Sequence, residues 1–115
     1  MDTTPLVVGI LTDVLDVPVT TDMPKNRPER LVLVDLTGDQ STPYVLHPRY
    51  SLTCWGTSDR DAHGIALAAV QALWEAAEDH PYLSSCDLET MSRDEWSANG
   101  QSRYLVEVTL TVNIE

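Results

Sequence analysis

The sequence has no phenylalanine, two cysteines, and only seven lysines and arginines against eighteen aspartates and glutamates in 115 residues. Each shortage excludes something. Without phenylalanine, aromatic packing rests on three Trp and four Tyr. Cys54 and Cys86 are too few for a disulfide framework, and in a reducing compartment they are expected as thiols. The formal net charge of −11 argues against a DNA- or RNA-binding domain, because phosphate recognition needs a basic footprint. It argues equally against an anionic membrane surface. The first apolar run is broken by Thr12 and Asp13 and follows no basic segment, so neither a signal peptide nor a membrane span is expected. That reading places the chain in the cytoplasm, or in something larger built there.

What is present suffices for one domain, residues 1–115. A hydrophobic content of 43% supports a single core, and the length is too short for two. Thr4 followed by Pro5 reads as a hydroxyl cap and helix opening. Val7, Ile10, Leu11, Val14 and Leu15 then repeat at helical spacing over 5–15. Residues 16–21 are a brief extended piece. Arg30 to Leu36 is a nearly continuous Val/Leu run, expected of a strand covered on both faces. "GDQSTP" (38–43) has turn chemistry. Tyr44 to Trp55 is extended, with Pro48 marking an edge or break. Tyr50, Leu52 and Cys54 face one way there, and Ser51, Thr53 and Trp55 the other.

The strongest helix signal follows Ser58, whose S-x-x-D spacing to Asp61 marks an N-terminal cap. Ala62, Ile65, Ala66, Ala69, Val70, Leu73, Trp74 and Ala77 hold one apolar face, and Pro81 ends the helix. Four alanines let it lie close to a sheet, so Ala66, Ala69, Val70, Leu73 and Trp74 should pack on Val106, Val108 and Leu110. Leu83 to Met91 is a weaker strand, Ser92 to Ser102 a polar loop, and Tyr104 to Ile114 a long strand of strict alternation. The order α-β-β-β-α-β-β, with about four to five strands, indicates an α+β layer built on a largely antiparallel or mixed sheet.

Chemistry is hard to find. His63 and His80 have acidic neighbours but no spacing that places two ligands on one metal, so capping or solvated roles fit better. Cys54 has no nearby cation to activate it. No serine sits in a nucleophile-elbow context, and no glycine pattern cradles phosphate. No catalytic, cofactor or metal residue is expected, and the chain reads as a non-enzyme.

One feature stands out against the acidic background. In "DMPKNRPERLVLVDLTG" (22–38), three of the seven cations, Lys25, Arg27 and Arg30, fall within six positions. Pro24 and Pro28 stiffen the segment, so its charge is presented at little ordering cost. The functional reading is a contact with another copy of the same acidic protein. The alternative is a solvated loop that balances nearby carboxylates.

Taken in order, "VTTDMPKNRPERLVLVDLTG", "YSLTCWGTSDRDAHGIALAAVQALW" and "SRYLVEVTLTVNI" make the chain resemble the tail terminator proteins of long-tailed phages, particularly those of actinobacteria. The resemblance runs over nearly the full length. It departs at Leu31, where an aromatic is expected, and in its single glycine at position 38. It implies a structural virion protein at the tail–neck junction, assembled in the host cytoplasm. There a ring, usually of six copies, would cap the tail tube and offer a surface to the head–tail connector. The implied partners are itself, the tube protein and the connector or stopper protein. DNA would only pass through the lumen, where an acidic ring repels it, and no cofactor or membrane is implied. An open sheet with unpaired edges fits ring closure. The alternatives are a head-completion or adaptor protein of the neck and a small acidic inhibitor. Against the last, Glu75, Glu78 and Asp79 gather at one end of the long helix and do not cover a face.

Overall fold

Helical and two-residue apolar periods separate cleanly along the chain, and the computed structural model follows them. It describes residues 3–26, 28–39, 42, 45–94 and 102–113. The elements run α1 (Thr4–Val14), β1 (Val19–Thr20), β2 (Leu31–Asp39), β3 (Val45–Leu46), β4 (Pro48–Gly56), α2 (Asp59–Asp79), β5 (Leu83–Asp94) and β6 (Ser102–Asn113). This is an α+β fold of two helices and a mixed six-stranded sheet.

Among the described residues only β1 and β2 pair in parallel, and the other pairs are antiparallel. β4 and β5 flank β6 on opposite sides over the same residues. Leu46↔Val112 and Arg49↔Thr109 share one register on β6, so β3 and β4 are one strand interrupted at His47. The break expected at Pro48 is therefore there, and Pro48 opens β4 as a residue that donates no ladder hydrogen bond. Across the sheet the order is β1, β2, β4, β6, β5, which leaves β1 and β5 at the two edges. Two bulges, at Ser84 and Glu89, interrupt β5. A third falls on β2 between Leu36 and Gly38.

The register sorts the two faces. Val32, Val34, Tyr50, Leu52, Cys54, Val106, Val108, Leu110 and Val112 form the core with Val7 and Leu11 of α1 and Ile65, Ala66, Ala69, Val70 and Leu73 of α2. The opposite face is half wet at Ser51, Thr53, Glu107 and Thr109, and Arg49 bridges Glu107 at 2.8 Å. Leu31 and Trp55 are paired across the strands on that face, and both are buried. The Arg103 guanidinium lies 5.7 Å from the Trp55 ring. Leu31, where an aromatic was expected, thus sits beside one.

Five expectations change. Thr4 is not the cap of α1: the cap position is Thr3, which makes no side-chain cap bond. Both hydroxyls instead meet the buried Tyr50 hydroxyl, at 2.6 Å from Thr3 and 3.0 Å from Thr4, so a tertiary contact wins over a local one. β2 continues through Gly38 and Asp39, where a turn was expected, because β4 still pairs there. Coverage of β2 on both faces ends at Val34, and Leu36 is 46% exposed because the helix layer stops short of it. β5 runs to Asp94, into the expected polar loop, because β6 offers partners as far as Arg103. Trp74 is 48% exposed: it lies at the margin of the apolar stripe, too large to fit beneath the helix. Arg27, Pro43, Tyr44, Ile114 and residues 95–101 lie outside the described residues.

Candidate subunit interface

The connector begins where β1 ends. The Asp22 amide donates to Thr20 Oγ1 (3.2 Å), and the Thr20 hydroxyl donates to the Asp22 carbonyl (3.0 Å), closing a tight polar turn. The Val32 amide donates to the Pro18 carbonyl at 2.9 Å, pinning the start of β2 beside β1. Because these strands are parallel, the chain must travel back between them, and residues 21–30 make that return. Along the return Met23 is 49% exposed and Lys25 is exposed, while Pro24 and Pro28 are partly buried.

The three predicted cations part company here. Lys25 projects at the surface and makes no ion pair with a described residue. Arg27 lies outside the described residues. Arg30 is turned into its own chain: its Nε donates to Asp61 Oδ2 at 3.1 Å, and NH1 lies 3.9 Å from Asp16. The Asp61 carboxylate also accepts from the Thr57 amide (3.0 Å) and hydroxyl (3.3 Å). The Thr57 amide and then Arg30 hold this carboxyl below its ordinary range, against some desolvation. The Asp61 amide donates to Ser58 Oγ (3.1 Å), the cap expected from the sequence. Arg30 therefore ties the connector to the first turn of α2, above an open cleft of about 440 Å³ lined also by Leu15, Arg60 and Ile65.

The far edge of the sheet carries a surface that sequence reasoning missed. The Trp74 indole N–H donates to the Cys86 carbonyl at 2.9 Å, which fastens α2 beside β5. At the other end of the helix Arg93 donates to Asp59 (2.9 Å), and His63 stacks on Tyr104 with ring centroids 4.8 Å apart. The Ser102 side chain first and then Arg93 hold the Asp59 carboxyl low, although the site is open to solvent. Leu67 on α2 is 51% exposed and Leu88 on β5 is 38% exposed. Leu67 was detectable, since it is a large apolar residue outside the buried stripe of α2, at its margin with Trp74. Leu88 was not, because its exposure depends on β5 being the edge.

Burial pushes the Cys54 thiol up to about 12. Burial, then Asp87, does the same to Cys86. Among the described residues no group of three or more His, Cys, Asp or Glu could hold a metal ion, and no helix is long and apolar enough to cross a membrane. The chain matches no known family model and no curated protein sequence.

Proposed function

We propose that this chain is a structural virion protein that closes as a ring on the end of a long phage tail tube. The ring ends tube polymerisation and presents the joining surface to the head–tail connector at the tail–neck junction. The observation that carries the reading is the ordered resemblance of its connector, its cap-and-helix segment and its last strand to tail terminator proteins. The fold supports it in one respect: a single α+β layer leaves both sheet edges and one sheet face available for neighbours. The edges themselves are blunted. β1 has two residues, and β5 carries two bulges and the charges of Asp87 and Glu89, devices that discourage strand addition. The ring contact is then built from side chains.

The test is imaging of tail tubes with the purified protein, alongside tube lengths when the gene is disrupted. Capped tube ends and overlong tubes in the disruptant are expected. Bare tube ends together with unchanged lengths would overturn the reading.

A further inference from the structure

We infer that the groove between α2 and the edge strand β5 is the acceptor for the connector of a second copy of this chain. The inference rests on the ring reading and adds to it the two surfaces that meet.

The acceptor has an apolar floor. Leu67 and Trp74 are two helical turns apart, hence on one line along α2, separated by roughly 10 Å. Trp74 is held against the Cys86 carbonyl, and Leu88 lies two residues further along β5, on the same side of the strand as Cys86. All three are between 38% and 51% exposed. Carboxylates border this floor: Glu75 and Glu78 on α2 are exposed. The described cation on β5, Arg93, is already bound to Asp59.

The connector is the complement. It offers an exposed apolar Met23, then an exposed Lys25, on a backbone stiffened by Pro24, with a further cation at Arg27 in the sequence. Apolar against apolar and cation against carboxylate is the pairing that steers and registers an interface. No copy can make this contact with itself. The connector leaves the sheet at β1, and four strand spacings, roughly 19 Å, separate β1 from β5. A contact between opposite edges of two copies is head-to-tail, and such contacts propagate into a closed ring where the rotation closes and into an open filament where it does not.

Cysteine cross-linking tests it on the full chain, because the native Cys54 and Cys86 are buried. The double variant Lys25→Cys with Glu78→Cys, and a second pair, Met23→Cys with Leu67→Cys, are oxidised with and without tail tubes. Either pair should give a ladder of linked copies ending at one ring size, while each single variant should stay unlinked. Charge exchange is the independent check. Lys25→Glu should weaken assembly at least tenfold, and adding Glu78→Lys, which suits the helix C-terminus, should restore most of it. Absence of ladders from both pairs in both conditions, or single variants that link like to like, overturns the inference. Capped tubes without ladders would sink this contact and leave the ring reading standing. Ladders without capping would do the reverse.

Discussion

Tyr50 lies fully buried on β4, and its hydroxyl takes both threonines at the start of α1. A buried hydroxyl left without its partner costs about 1–3 kcal/mol, whereas replacing both members by apolar isosteres is close to neutral. Tyr50→Phe should therefore lower stability by about 1–2 kcal/mol in urea unfolding, and Thr3→Val in the same chain should recover most of the loss. Strictly additive losses would mean that the Thr3 hydroxyl has no stake in this bond. Arg30 teaches the same lesson in charge. It belongs by sequence to a basic run, yet its partner is Asp61, thirty-one positions away.

At the scale of elements, α2 is placed by two local features and one close approach. The Ser58 cap and the apolar stripe were legible, and they set its start and its buried face. The approach is at Gly56, which ends β4. A Cβ there would sit 2.8 Å from Ala62 Cα and 2.9 Å from the Asp61 carbonyl carbon, both backbone atoms that cannot swing aside. Gly56→Ala should cost about 1–3 kcal/mol through forced displacement of the helix start. Gly64, exposed inside α2 with nothing within 4 Å of a Cβ, is the control. Gly64→Ala should stabilise by roughly 1 kcal/mol, the helix-propensity difference. Thermal melts of the two variants should move in opposite directions. Equal shifts would show that α2 is free to slide over β4.

At the scale of the whole molecule, a net charge of −11 sets two responses to salt against each other. Self-repulsion weakens the folded monomer, so screening should raise its melting temperature. The proposed contact between Lys25 and a neighbour's carboxylates is attractive, so the same screening should loosen the ring, with the Debye length falling from about 10 Å at 0.1 M to about 3 Å at 1 M. Melting curves of dilute protein and mass measurements of concentrated protein across that range should diverge. If ring and monomer strengthen together, the interface is apolar and the connector charges are incidental.

The sequence by itself determined the α+β class, both helices, the alternation of β6 and the break between β3 and β4. These follow from periods of 3.6 and 2 and from the placement of proline and serine, all local properties of the chain. It also marked the connector as unusual. Only the tertiary structure decided that Lys25 is exposed while Arg30 turns to Asp61, that Trp74 sits at a margin and not in the core, and that β2 and β5 outrun their apolar runs. It also decided that Leu67, Trp74 and Leu88 stay exposed. Each of these depends on what lies across from a residue in space, and strand order and helix placement supply that neighbour from positions far along the chain.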